Sequence, residues 1–126
     1  MDVRFDIDKE HKIITGVVSG ALHRDVLLNM LAQLRIISSN NTGYNLLFDL
    51  RQTSLKSSQM HMYQVIDVLS SIVDLKEQLG DKIAHVAPDS EDRVEHALKI
   101  GALANIRGLN YEVFTDRALA WKWLRE

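Results

Sequence analysis

Acid–base or metal chemistry in this sequence would fall first to its five histidines, His11, His23, His61, His85 and His96. Their spacing contains no His-x-x-x-His pair and no other zinc-ligand pattern. The chain has no cysteine, which removes thiolate ligands, thiol nucleophiles and disulfides together and agrees with a reducing compartment. Its six glycines form no Gly-x-Ser-x-Gly elbow, no Gly-x-Gly-x-x-Gly loop and no P-loop. His85 sits in the apolar run Ile83-Ala-His-Val-Ala87. It reads either as a perturbed acid or base or, more simply, as a hydrogen-bonded core histidine, and it is not counted among the site residues. No catalytic residue, metal or cofactor is expected.

The informative polar stretch is Leu47-Phe-Asp-Leu-Arg-Gln-Thr-Ser-Leu-Lys-Ser-Ser-Gln59, which leaves the carboxyl end of a predicted central strand and opens a helix. Ligands of open α/β sheets gather at that edge. Asp49 and Arg51 end the strand, and Ser57 or Ser58 can cap the helix by accepting a hydrogen bond from a free backbone N–H. The alternative for each is plain structure: a carboxylate that ties down the loop and a serine that only caps.

The elements that must position these groups follow from periodicity. Val3, Phe5 and Ile7 alternate with Arg4 and Asp6, and a polar turn at Asp8 to His11 leads to a second strand from Ile13 to Val18, giving an antiparallel hairpin. Helical spacing runs from Arg24 to Ile37 and stops at Asn40-Asn-Thr-Gly43. Apolar runs at Tyr44–Leu50, Lys82–Ala87 and Tyr111–Thr115 predict strands, those near the centre covered on both faces. Helices are expected over Ser58–Leu79 and Glu91–Arg107, ending on the left-handed caps Gly80 and Gly108, with a last helix capped by Asp116 and running through Trp123. The order ββαβαβαβα predicts one α/β domain over residues 1–126 with a mixed five-stranded sheet, an antiparallel opening hairpin and parallel later strands.

Two helices carry further information. The second spreads Met62, Val65, Ile66, Leu69, Val73 and their neighbours over roughly 180°, wider than the ~100° stripe of a surface helix. Sheet, neighbouring helix, partner subunit or apolar ligand must cover that face. In the third, Ala97, Gly101 and Ala104 form a ridge of small residues for close approach to the sheet.

Composition excludes several classes. A net charge of −2 with interleaved signs gives no basic footprint for nucleic acid. No stretch reaches the ~20 apolar residues of a membrane span, and the start lacks a basic region followed by an apolar one, so the expected location is cytoplasmic.

In pattern the chain resembles the SpoIIAA-like, STAS-type proteins. The resemblance rests on the hairpin ending at Ser19-Gly20, the strand Leu-Phe-Asp-Leu-Arg51 before a serine-initiated helix, the strand end Val86-Ala-Pro88 and the closing Ala118-Leu-Ala-Trp121. In the related anti-sigma-factor antagonists an Asp-Ser-Ser-Gly motif carries a serine phosphorylated by a partner kinase. Lys56-Ser-Ser-Gln59 occupies that place, which makes Ser57 the implied acceptor, although Lys56 reverses a charge and Gln59 removes the glycine. The resemblance extends to the lipid-carrying CRAL-TRIO domains. It implies a groove for a lipid-like molecule along Met62, Ile66, Leu69 and Val73, and Trp121 and Trp123 beside cations form an amphipathic patch suited to peripheral contact with the inner membrane surface.

The sequence therefore predicts a non-catalytic module that binds a hydrophobic or amphipathic small molecule, with a phospho-regulated protein-interaction switch using Ser57, Ser58, Asp49 and Arg51 as the alternative. A homodimer is the default assembly for such a domain.

Overall fold

Residues 2–55 and 62–126 are described by a computed structural model of the protein. Strands β1 (Asp2–Asp8) and β2 (Ile13–Ala21) are followed by α1 (Arg24–Asn40), β3 (Tyr44–Ser54), α2 (Met62–Asp74), β4 (Leu79–Val86), α3 (Glu91–Ile106), β5 (Tyr111–Phe114) and α4 (Arg117–Leu124). The sheet order is β1-β2-β3-β4-β5, with β1 antiparallel to β2 and every later pair parallel. The predicted architecture is the observed one. Among the described residues, no helix is long and apolar enough to cross a membrane.

Alternation along the parallel strands sends side chains to two cores. Ile14, Leu46, Phe48, Ile83 and Tyr111 face the larger one, which α1, α2 and α3 cover, while Ile13, Leu47, Ala84 and Val86 face a smaller one closed by Ala120 and Leu124 of α4. A sheet whose strands follow chain order with right-handed crossovers must carry all its crossover helices on one face. Only the terminal helix remains to cover the other.

The third helix behaves as its ridge requires. Ala97, Gly101 and Ala104 are its buried residues, and a Cβ on Gly101 would lie 3.4 Å from Val113 and 3.5 Å from Tyr111. Gly108 follows it with φ +86°, as a left-handed cap should.

Several predicted boundaries need correction. β3 continues past its apolar run to Ser54 because backbone pairing with Gly20 and Ala21 of β2 does not depend on apolar side chains. The second helix does not reach Leu79. It ends at Asp74 and passes through a 3-10 turn at Lys76–Gln78, so Gly80 is no helix cap but a residue of β4. The apolar period carries on through Leu75 and Leu79, which pack into the core without being helical beyond the turn, and periodicity alone cannot see that change.

Candidate functional site

The larger core is not closed everywhere. Toward the carboxyl ends of β3 and β4 a cavity of about 70 Å³ lies between the sheet and α1, α2 and α3. Val65, Val68, Leu69 and Ile72 form its α2 wall, with Met30 of α1 and Phe48 of β3 opposite. Its polar lining is confined to His85, Arg93, His96 and Tyr111. A cavity this size is about half the ~150 Å³ that accepts benzene and well below the roughly 300–1,000 Å³ of drug-sized pockets. It suits a small apolar group; a long acyl chain exceeds it.

Four side chains from three elements make the polar end. His85 points inward from β4, and its Nδ1 shares a 2.7 Å hydrogen bond with the hydroxyl of Tyr111 on β5. Burial pushes the His85 imidazolium down to about 3, with the nearby positive charge of Arg93 and then His96 acting in the same direction. Burial likewise raises the Tyr111 phenol above its usual range. Both are neutral near pH 7, and one hydrogen bond orients them, so neither is poised to exchange protons there.

Arg93 and His96 come from α3, at positions i and i+3 beside the inward-facing Ala97 and Ile100. Ser90 caps that helix by accepting from the Arg93 backbone N–H at 3.4 Å. The Arg93 guanidinium reaches back to β3, donating to the carbonyl of Thr53 at 2.8 Å and to its Oγ1 at 2.7 Å, while the Thr53 hydroxyl donates to Leu50 O at 2.6 Å. Among the described residues no carboxylate forms an ion pair with Arg93. Burial is the sole cause lowering its basicity. His96 is also held below the usual imidazole range, first by burial and then by Arg93 and Lys99.

The residues singled out from the sequence are not all at this place. Leu69 lines the cavity, whereas Ile66 and Val73 are half-buried elsewhere on α2. Met62 opens α2, and its side chain lies outside the described part, as do Ser57 and Ser58. Asp49 and Arg51 lie together on a different site. Alternation turns Asp49 to the face covered by α4, where its buried carboxylate accepts from Arg51 Nε at 2.9 Å and NH2 at 2.8 Å, and Arg117 of α4 approaches to 3.4 Å. Burial raises the Asp49 carboxyl, but the Arg51 hydrogen bonds and the charges of both arginines outweigh it and leave the group below its ordinary value. This cluster links β3 to α4 on the side of the sheet opposite the cavity.

Trp121 and Trp123 are half-buried beside the smaller core. Trp121 meets His11 edge-on at 5.9 Å, and Trp123 packs on Phe114 at 5.8 Å under the Lys82 ammonium, 5.2 Å from the ring centre.

Sequence reasoning missed Arg93, His96 and Tyr111 as site residues. The legible signal was Arg93 four residues before Ala97 and His96 beside it: polar groups at the edge of a helix's small-residue stripe.

No family model and no curated protein matches the sequence. Among solved structures, the chain is similar to an uncharacterised protein of the DUF3478 family with a SpoIIAA-like fold from Shewanella loihica, at TM-score 0.66 and 13% identity over 98% of this chain and 92% of that one. It is also similar to the anti-sigma factor antagonist SpoIIAA in its unphosphorylated form, at TM-score 0.59 and 8% identity over 98% of both chains. The fold is SpoIIAA-like, of the STAS type.

Proposed function

We propose that this protein is a non-catalytic module that binds a small amphipathic molecule in the cavity between α2, α3 and the sheet. The observation that carries the reading is the convergence of four polar side chains on one end of an otherwise apolar, incompletely filled space in a core where packing is normally tight. The polar groups suit recognition better than reaction, since burial keeps both His85 and Tyr111 neutral. The cavity's volume favours a compact ligand over a long-chain lipid.

Native mass spectrometry with organic extraction, followed by a small-molecule screen read by amide chemical shifts, tests this. A ligand at 100 times its Kd is expected to stabilise the fold by about 2.7 kcal/mol. Val68→Phe, which places a ring in the cavity from a half-buried position, is expected to abolish both the shifts and the stabilisation. No retained molecule and no compound shifting amides around Leu50, Ala97 and Ile100 would remove the reading.

A second reading has support from the fold. The solved anti-sigma factor antagonist shares it, and Ser57 stands between β3 and α2 in the element order, where the resemblance puts the acceptor serine. Phosphopeptide mapping of the protein from its native cells is expected, on this reading, to find modified Ser57; an unmodified serine in cells grown through starvation and stationary phase argues against it.

A further inference from the structure

A half-buried guanidinium without a carboxylate partner is the unusual feature of the cavity, because removing a charge from water is unfavourable unless an opposite charge or a full set of hydrogen bonds replaces the lost hydration. Arg93 has neither in full. Thr53 takes two of its five N–H donors, both on neutral acceptors, and three remain. The anchoring to Thr53 fixes the plane of the guanidinium beside the cavity lining, so an acceptor arriving there meets an oriented fork with little further loss of side-chain freedom. His96, one turn along α3 and also lining the cavity, adds a neutral imidazole able to donate one N–H.

We propose that the polar end of the cavity receives a small monocarboxylate, with the carboxylate against the free N–H groups of Arg93 and the adjacent His96, and the alkyl part between Val68, Leu69 and Ile100. This assignment rests on the small-ligand reading above and names the ligand's class. One unpaired arginine is neutralised by one negative charge. A doubly charged phosphate would leave an excess of negative charge beside a helix start that already carries Asp89, Glu91 and Asp92. The planar two-oxygen group is also the geometry that a guanidinium fork matches.

Propanoate, propan-1-ol and propylammonium share a tail short enough for a cavity of about 70 Å³ and differ in the charge of the head, which makes them the probes. Titrations of the wild-type protein, read by amide chemical shifts, are expected to show propanoate binding at least about tenfold tighter than propan-1-ol and no saturable shifts with propylammonium, a factor of ten being about 1.4 kcal/mol. Arg93→Gln is expected to remove most of the preference for propanoate over propan-1-ol. Equal binding of propanoate and propan-1-ol by the wild type, or an undiminished preference in Arg93→Gln, overturns the carboxylate assignment; if Val68→Phe still abolishes the shifts, the cavity reading survives. Shifts that persist in Val68→Phe, or none with any of the three, overturn both. The wild-type comparison needs no variant to fold, so the assignment stays exposed to refutation even if Arg93→Gln is unstable.

Discussion

Gly80→Ala is expected to lower the stability of this domain by about 3 kcal/mol, the level reached when a tightly packed site must accept an added methyl group and shift its backbone. The reason is space, not backbone conformation, because Gly80 is a strand residue and its φ is not positive. A Cβ there would fall on Asn45 Oδ1 and come within 2.9 Å of Gly43 O and 3.0 Å of Asn45 N. Asn45 cannot step aside cheaply. Its Oδ1 accepts from the Lys82 N–H at 3.0 Å and its Nδ2 donates to Leu124 O at 3.1 Å, so one side chain joins β3 to β4 and to the end of α4. Urea denaturation of the variant measures the loss. Gly43→Ala supplies the contrast, since φ is +81° there and nothing lies within 4 Å of the added carbon, leaving only left-handed strain of roughly 1–2 kcal/mol. A Gly80→Ala protein as stable as wild type would show that the β3–β4 start is not packed as described. If Asn45 is the obstacle, Asn45→Ala and Gly80→Ala together cost less than the sum of the two.

Lowering the pH from 7 to 5 is expected to remove about 2 kcal/mol of stability through His85. In the unfolded chain this imidazole has its ordinary value near 6.5, and in the fold burial brings it to about 3. Between those values the unfolded chain binds a proton that the folded one refuses, so stability rises with pH through that window and is lost as pH falls. Half-buried His96, also lowered, acts with the same sign but is more screened. The carboxylates are separable: Asp49 is lowered from 3.8, so its contribution is present above that value and disappears only in more acidic solution. Comparing urea midpoints at pH 7 and 5 therefore isolates the imidazoles. His85→Gln keeps an acceptor for the Tyr111 hydroxyl without a titratable ring, and it is expected to lose only the small remainder due to His96. An unchanged pH dependence in that variant would mean that His85 is not buried as a neutral ring.

These two sites show unequally what a linear sequence discloses. The hairpin, the three crossover helices and the parallel strands were readable because burial of one face imposes a period on each segment, and the ridge Ala97, Gly101, Ala104 was readable because close helix–sheet contact admits only small residues. The role of Gly80 was not. A glycine after an apolar helix has the same sequence appearance as a cap, and only the approach of Asn45, 35 positions earlier, shows why a side chain is excluded. The polar cluster was equally hidden: His85 stood out within an apolar run, but Tyr111 is 26 residues beyond it and Arg93 finds its anchor in Thr53, 40 residues back.

By itself the sequence determined the segments, their order and, through the right-handed crossover rule, the mixed sheet. It also contained an excess of apolar surface on α2. How that excess is used was a tertiary decision: sheet and neighbouring helices cover most of it, and a small cavity remains. The same decision placed Asp49 on one face of the sheet and His85 on the other. Local periodicity is a property of neighbours along the chain and survives in the sequence, whereas a cavity and its unpaired charge arise from the fit of surfaces far apart in it, which no local pattern records.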